Sequence, residues 1–326
     1  MGELFMIYLD MEQDLNNWAY KDLKAAGFKN VEPDNALYQH CNILLRKLQP
    51  KPRQIEKSKD FTCPIGYEDK LNFFEEAVIS GKDLTPFMSR SIQDAISQDK
   101  MLFDWGLYHF HLSNTLDKNN SYFIKGSKNL LVAYVDPDFD DTIYFLQIRP
   151  HKSILWTEQD LIRCLADNWP NLTEKYRLSE VASLTSNITD NDYKNLRGKN
   201  ANTMIDLQDG RVYLGFNWGI TSNGFSVKAL TIYDRLINDA MIIQENIIEY
   251  ADVLLELIGE KIGTPIEDIY IELVKPNLSD YIFKVKNITN LFIRIVLINE
   301  NRTLRFLVGD SIEQLKNEEN NNNTVP

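Results

Sequence analysis

Residues 129–151 read NLLVAYVDPDFDDTIYFLQIRPH, and this stretch decides how the middle of the chain folds. Two runs rich in aliphatic and aromatic residues, 129–135 and 142–150, flank the acidic segment DPDFDD. That segment lacks the glycine and the glutamate of a calcium-binding loop, so it is interpreted as a turn. Runs of this length around a turn predict two antiparallel strands.

The segments on either side extend this hairpin into a larger unit. Residues 103–112, FDWGLYHFHL, alternate and predict another strand, and 121–126 predict a short one. A helical pattern covers Tyr67 to about Ser97, and a helix with Thr157 as its N-cap and Pro170 at its end follows the hairpin. Residues 66–170 therefore predict helices, a small antiparallel sheet and a closing helix.

The rest of the chain predicts a second α+β region and an N-terminal extension. Helices are expected over 11–26 and 35–48, followed by a Pro-containing linker over 49–60. Asp209-Gly210 predicts a hairpin, 227–258 a long amphipathic helix, and the segments up to 309 further strands. The fold class is α+β throughout. The predicted domains are a helical extension 1–60, an α+β domain 61–172, an α+β C-terminal domain 173–316 and a disordered tail 317–326.

Composition restricts the class of partner. The net charge is −12. Residues 1–172 hold 19 basic and 25 acidic side chains, and the remainder holds 16 and 22. Neither half is a basic nucleic-acid module, and no DNA partner is predicted. Apolar runs are of strand length, and the three cysteines form no zinc or disulfide pattern, so we expect no membrane span and a cytoplasmic location.

The segment LYHFHLSN, residues 107–114, holds two of the four histidines of the chain. Strand alternation puts Trp105, Leu107, His109 and His111 on one face, with the two imidazoles about 7 Å apart. In the later strand Gln147, Arg149 and His151 share a face. If the two strands are neighbours, three histidines gather in one patch with basic side chains beside them.

Three interpretations of this patch remain open. The histidines could exchange protons while basic side chains stabilise a phosphorane-like transition state in metal-free RNA cleavage. They could bind a divalent metal, since HxH plus a third histidine is a known ligand spacing. They could also decorate an open sheet face. The candidate catalytic residues are His109, His111 and His151, and the candidate substrate-binding residues are Arg149, Lys152 and Lys125.

Other motifs favour structural roles. NWGITSNG, residues 217–224, is interpreted as a structural loop because no phosphate-binding glycine motif surrounds it. His40 and Cys41 are neighbours on a helix and are assigned to core packing. The basic residues around 46–59 are interpreted as a solvated connector or as an arm that touches RNA or a partner. The helix 227–258 could pack on its own sheet or form a homodimer.

After the helical pair the chain continues with GLYHFHL and then LLVAYVDPDFDDTIYFLQIRPHK. Over about residues 66–165 this order of elements resembles the RelE/HigB-like superfamily of bacterial toxin ribonucleases. The whole chain is also similar to bacterial proteins with an HxHL … H … NWP pattern. The ribonuclease resemblance implies a sheet whose concave face cleaves mRNA without metal or cofactor. It also implies that His109, His111, Arg149, His151 and Lys152 lie on that face.

The resulting hypothesis is a toxin-like or phage-defence-related ribonuclease with RNA as its substrate and an antitoxin as a possible protein partner. Two alternatives are kept. The first is a non-enzymatic partner-binding protein of the toxin–antitoxin type, in which the histidines are structural. The second is a metal-dependent hydrolase that uses the three histidines.

Overall fold

The computed structural model describes residues 6–276, 280–297, 304–317 and 324–325, and it has the predicted α+β fold. The helices are α1 Met11–Ala25, α2 Ala36–Arg46, α3 Glu68–Ile79, α4 Lys100–Trp105, α5 Asp160–Asn168, α6 Pro170–Thr173, α7 Asp190–Gly198, α8 Val227–Glu249, α9 Ala251–Ile262 and α10 Ile312–Asn317. The strands are β1 Met6–Tyr8, β2 Gln54–Lys57, β3 Leu107–His111, β4 Asn129–Val135, β5 Thr142–Pro150, β6 Ile205–Asp206, β7 Val212–Tyr213, β8 Asp268–Lys275, β9 Asp280–Val285, β10 Phe292–Leu297, β11 Leu304–Gly309 and β12 Thr324–Val325.

The chain divides into two compact units, of which the first is discontinuous in sequence. Unit 1 contains residues 1–27, 31–37 and 233–326, and unit 2 contains residues 28–30 and 38–232. This division differs from the predicted boundaries at 60, 172 and 316. Helix α1 and the C-terminal strands meet in one unit because the contacts between them are made in space and leave no signal in local composition.

Unit 2 is built on a four-stranded sheet in the order β2-β5-β4-β3. The quoted hairpin forms its centre, since β4 and β5 pair antiparallel and DPDFDD lies in the turn between them. Strand β3 pairs antiparallel with β4, and β2 pairs parallel with β5. The predicted linker 49–60 therefore contains an edge strand, which is a correction: its prolines precede a short run, 54–57, that pairs with β5.

Both faces of this sheet are covered by apolar side chains. On one face the cluster includes Phe74 of α3, Phe110 of β3 and Phe145 of β5. On the other it includes Leu107 of β3, Leu130 of β4 and residues of α5 such as Leu165. This sheet face is therefore covered at Leu107, which lies on the same side as His109 and is fully buried.

Unit 1 is built on a six-stranded sheet in the order β1-β8-β9-β10-β11-β12. Strand β1 pairs parallel with β8, and each later pair is antiparallel. Alternate residues of β8, among them Ile269 and Ile271, join a core with Leu15 of α1, Ile243 of α8 and Leu254 of α9. The apolar stripe of the predicted long helix thus packs on the sheet of its own unit.

Several predicted element limits differ from the structure. The helix 227–258 is two helices with a break at Tyr250, and Gly263 rather than Gly259 is the C-cap of the second. The strand expected from residue 103 begins at Leu107, after α4. Residues 121–126 contribute only a single bridge, Leu116 to Ile124. Residue Gln159, and not Thr157, is the N-cap of α5.

Of the predicted disordered tail, residues 318–323 and 326 lie outside the described residues, while Thr324–Val325 pair with β11. Among the residues that the structure does describe, no helix has the length and apolar character that crossing a membrane requires.

Candidate functional site

Helix α4 and its two ends place His109. Asp99 caps the start of α4, where its Oδ1 accepts a hydrogen bond from Leu102 N at 3.1 Å. Gly106 ends the helix with a φ of 70°, a left-handed conformation that glycine adopts without a Cβ clash. The chain turns there into β3, and His109 Nδ1 lies 3.6 Å from Asp99 Oδ2. The carboxylate of Asp99, which caps α4, thus lies beside His109 of β3.

The loop that follows β7 forms hydrogen bonds with the C-terminal end of α4. Asn217 N donates to Asp104 O at 3.0 Å, and Asn217 Nδ2 donates to Leu102 O at 2.7 Å. Gly219 N donates to Phe103 O at 3.1 Å. The carbonyls of Phe103 and Asp104 are among those that the end of a helix leaves without intrahelical partners, while Leu102 O also accepts from Gly106 N at 2.9 Å. NWGITSNG therefore stabilises the helix that leads into the HxH strand, which agrees with its interpretation as a structural loop.

The three predicted catalytic histidines meet around Trp156. The ring centroids of His109 and Trp156 are 4.6 Å apart, and those of His151 and Trp156 are 5.7 Å apart. The rings of His111 and His151 meet edge to face with centroids 5.6 Å apart. Trp156 lies in a short 3₁₀ turn, Leu155–Thr157, after β5. The sequence carried no signal for it, because a single turn has no periodicity.

His111 is held as a neutral imidazole. Ser127 N donates a hydrogen bond to His111 Nδ1 at 3.1 Å. Burial lowers the pKa of His111 to about 4, and His151, His109 and Arg90 act in the same direction. At neutral pH the ring is therefore uncharged, with its proton on Nε2. It can donate a hydrogen bond but has no free nitrogen to accept a proton.

Strand register accounts for the position of Arg149. Gln147 pairs with Val132 and Arg149 with Leu130, while His109 and His111 pair with the same two residues of β4 from the other side. Directly paired residues share a face, so Gln147 and Arg149 lie on the histidine face as predicted. The Arg149 Nε donates to Gln147 Oε1 at 2.6 Å. One strand separates Arg149 from the histidines.

A cavity of about 520 Å³ in unit 2 lies against His109. Its charged and titratable lining residues are Arg46, Asp99, Lys100, His109, Lys194 and Arg197. Met88, Tyr108 and Trp156 add apolar and aromatic surface. The lining of this cavity includes none of the other predicted site residues, namely His111, His151, Arg149, Lys152 and Lys125. Both Lys125 and Lys152 are exposed side chains.

The cationic residues that line the cavity were not predicted as site residues from the sequence, or were assigned another role. Arg46 was grouped with a solvated connector, but it is 4 % exposed. Arg197 is 5 % exposed, and its Nη2 lies 2.8 Å from the buried carboxylate of Asp104, which is 93 residues away in the chain. Lys100 Nζ donates to Arg197 O at 2.8 Å and to Asn200 Oδ1 at 2.7 Å. Only contacts made in space distinguish these residues from surface cations.

The cavity carries more positive than negative charge within an acidic chain. Four cationic side chains line it, and Asp99 is its one carboxylate among the residues described. Arg197 is neutralised by Asp104, so that three cations face one carboxylate. An excess of positive charge in a cleft attracts an anionic ligand.

No group of three or more His, Cys, Asp or Glu side chains in the described part of the chain is placed to hold a metal ion. The metal-dependent alternative stays a prediction, and elemental analysis of the purified protein tests it. Comparison of the chain with family models, curated proteins and solved structures finds no match.

Proposed function

We propose that unit 2 is a metal-free ribonuclease whose reactive group is His109 in the cationic cavity. The observation that carries this proposal is that His109 and Asp99 both line the cavity, with His109 Nδ1 at 3.6 Å from the carboxylate. The RelE/HigB-like resemblance supplies the substrate class, RNA, and the toxin-like or phage-defence role. An antitoxin-like partner and a homodimer remain predictions.

The carboxylate of Asp99 favours the tautomer of His109 that carries its proton on Nδ1. The distance exceeds that of a hydrogen bond, and such contacts shorten when a substrate closes the site. Among the described residues neither ring nitrogen of His109 has a hydrogen-bond partner. In the proposed tautomer Nε2 is left free to accept a proton.

The proposed reaction is attack by a ribose 2′-hydroxyl on the adjacent phosphorus. His109 Nε2 takes the hydroxyl proton as the new P–O bond forms. The bond to the 5′ oxygen breaks, and that oxygen takes a proton from water, which leaves a 2′,3′-cyclic phosphate and a 5′-hydroxyl. The hydroxide that remains takes the proton from His109, so the imidazole returns to its starting state. The cavity cation Lys100 stabilises the additional negative charge on the phosphorane. His111 has no proton-transfer role in this scheme because it is neutral and its Nδ1 is occupied.

The test compares purified wild type, His109→Asn and His151→Asn on a short RNA in the presence of EDTA. We expect wild type to produce a 2′,3′-cyclic phosphate end and His109→Asn to lose about a hundredfold or more of the rate, as for removal of a general base. His151→Asn should keep most of the rate, since His151 lies outside the cavity lining. Equal rates for His109→Asn and wild type would disprove the proposal.

The same cavity also suits the non-enzymatic alternative, because an enclosed cationic site can bind an anion without transforming it. Wild-type protein that binds RNA or a nucleotide but releases it unchanged over many hours would favour that alternative. Expression in bacteria gives a second readout. A ribonuclease should slow growth in the wild-type form and not as His109→Asn.

A further inference from the structure

Arg46 differs from the other buried arginines in its partners. Among the described residues three arginines are buried, namely Arg46, Arg53 and Arg197. Arg53 Nη2 lies 3.2 Å from Asp140 Oδ2, and Arg197 Nη2 lies 2.8 Å from Asp104 Oδ2. Arg46 donates only to backbone carbonyls, to Asp94 O at 2.9 Å and to Ser91 O at 3.5 Å. No carboxylate in the described part of the chain forms an ion pair with it.

An unpaired buried cation is unfavourable unless a counter-ion compensates its charge. Burial lowers the pKa of Arg46 to about 10, while the nearby carboxylates of Asp99 and Asp94 act in the opposite direction, and the side chain is charged at neutral pH. Neither carboxylate forms an ion pair with the guanidinium, and its hydrogen bonds go to backbone carbonyls. Because Arg46 lines the cavity, an anion bound there could pair with it directly.

Unsatisfied polar atoms point to the same cavity. Arg46 Nε, Arg197 Nη1 and His109 Nδ1 are buried and have no hydrogen-bond partner among the described residues. All three belong to residues that line this cavity. Such atoms are rare in folded proteins, and each one calls for an explanation. Arg197 and His109 already contact a carboxylate, of Asp104 and Asp99 respectively, so Arg46 Nε is the atom for which a bound ligand is the simplest explanation.

The net charge of the cavity selects the kind of anion. Arg46, Lys100 and Lys194 have no carboxylate partner among the described residues, and Asp99 offsets one of the three charges. The remaining excess of about two charges matches a phosphomonoester, which carries −1.5 to −2 at neutral pH. An internal phosphodiester of RNA carries only one negative charge. The aromatic lining by Trp156 and Tyr108 suits the base of a nucleotide.

We propose that Arg46, with Lys194, holds a terminal phosphomonoester of a nucleotide or of an RNA end in this cavity. The inference rests on the proposed function for its substrate class, and it adds that the RNA is bound by a phosphorylated end. Arg46 and Lys194 both lie outside residues 66–165, the region that resembles the toxin ribonucleases. In this arrangement the phosphate site is a binding site that does not depend on proton transfer by His109.

The test measures binding of short RNAs to the full chain by calorimetry at constant ionic strength. The probes are one RNA sequence with a 5′-phosphate, with a 3′-phosphate and with hydroxyl groups at both ends, and inorganic phosphate. His109→Asn is used for binding so that cleavage does not consume the RNA. We expect one phosphorylated RNA to bind at least about tenfold more tightly than the hydroxyl RNA, the effect of one charged hydrogen-bonding group.

Arg46→Met should remove that preference, and Lys194→Met should weaken it severalfold. Lys194 is exposed, so its replacement leaves the fold intact. The matched controls are Arg53→Met, which removes a buried arginine outside the cavity lining, and Lys118→Met, which removes an exposed lysine. Both controls should keep the preference. Arg46→Met should also be no less stable than Arg53→Met in phosphate-free buffer, because Arg46→Met breaks no ion pair whereas Arg53→Met breaks the one with Asp140.

The outcomes separate the two proposals. Tight binding of a phosphorylated end without cleavage by wild type supports the phosphate site and rejects the ribonuclease. Cleavage without any preference for a phosphorylated end supports the ribonuclease and overturns the phosphate site. Retention of the preference in both Arg46→Met and Lys194→Met overturns the phosphate site as well.

Discussion

At the scale of single residues, the environment of each histidine decides what it can do. His109 lines a cavity beside Asp99, while His111 accepts a hydrogen bond from Ser127 N and is neutral at physiological pH. His151 is exposed and contacts Trp156. From the sequence, the three histidines were equivalent candidates for proton transfer. Their environments are different, because burial and hydrogen bonding differ at each ring.

The lowered pKa of His111 makes the stability of unit 2 depend on pH. The folded-state value is about 4 and the ordinary value is 6.5, so between them the unfolded chain binds a proton that the folded chain does not. This contribution to stability is present above pH 6.5 and is lost as pH falls toward 4. We expect wild type to lose about 1–2 kcal/mol more than His111→Asn across that window, a value reduced for partial solvent screening.

Urea unfolding at several pH values measures this difference. Asn at position 111 can still accept the hydrogen bond from Ser127 N, so the variant changes the titration more than the contact. The two proteins should show a constant difference in unfolding free energy above neutral pH. Parallel curves down to pH 4 would show that His111 does not titrate abnormally.

At the scale of elements, helix α4 contributes to the stability of unit 2 and also positions the candidate reactive residues. Its N-cap, Asp99, supplies the carboxylate beside His109, and its C-terminal glycine, Gly106, sets the direction of β3. The loop residue Asn217 satisfies the carbonyls at the same end. One helix of six residues therefore positions both partners of the His–Asp pair.

Two substitutions separate the roles of Asp99. Asparagine caps helices as well as aspartate does, so Asp99→Asn should keep stability within about 0.5 kcal/mol, whereas Asp99→Ala should lose about 1 kcal/mol. Both should lower RNA cleavage by about tenfold or more, because the charge that orients His109 is lost. Chemical denaturation and a cleavage assay measure the two effects.

Asp10 provides the control for a lost helix cap. Its Oδ1 accepts a hydrogen bond from Gln13 N at 3.0 Å at the start of α1 in unit 1. Asp10→Ala should lower stability by a similar amount and leave cleavage unchanged. Full activity in Asp99→Asn would instead show that the carboxylate acts only as a cap.

At the scale of the whole molecule, unit 1 is assembled from both ends of the chain. The apolar face of α1, with Met11, Leu15 and Ala19, packs with strands and helices that follow residue 233. A chain that ends at Ile232 keeps the residues of unit 2 but leaves this face without its core. Exposed apolar area of this kind promotes association.

We therefore expect a protein truncated after Ile232 to bind the dye ANS and to aggregate in size-exclusion chromatography, unlike the full chain. Removing residues 1–27 together with 233–326 should reduce both effects, because the apolar face of α1 is removed as well. A monodisperse truncated protein that binds no dye would contradict the discontinuous core of unit 1.

The sequence alone was sufficient for features that depend on neighbours in the chain. Strand alternation and turn residues predicted the β4–β5 hairpin, the β6–β7 hairpin and the α+β class. Gly27, with a φ of 78°, follows directly after the predicted helix 11–26. The period of two predicted that Gln147 and Arg149 share one face of β5 and that His109 and His111 share one face of β3. These features are local, since hydrogen bonds and alternation act over a few residues.

Only the tertiary structure decided what surrounds those elements. The cavity combines Arg46 from α2, Asp99 from the start of α4, Trp156 from a short turn and Lys194 from α7. Unit 1 likewise combines residues 1–27 with residues 233–326, which lie more than 200 residues further along the chain. Burial, ion pairing and the pKa of a side chain depend on groups that are close in space, and local periodicity carries no information about them. That is why the sequence identified His109, while the cavity that distinguishes it from His111 and His151 required the fold.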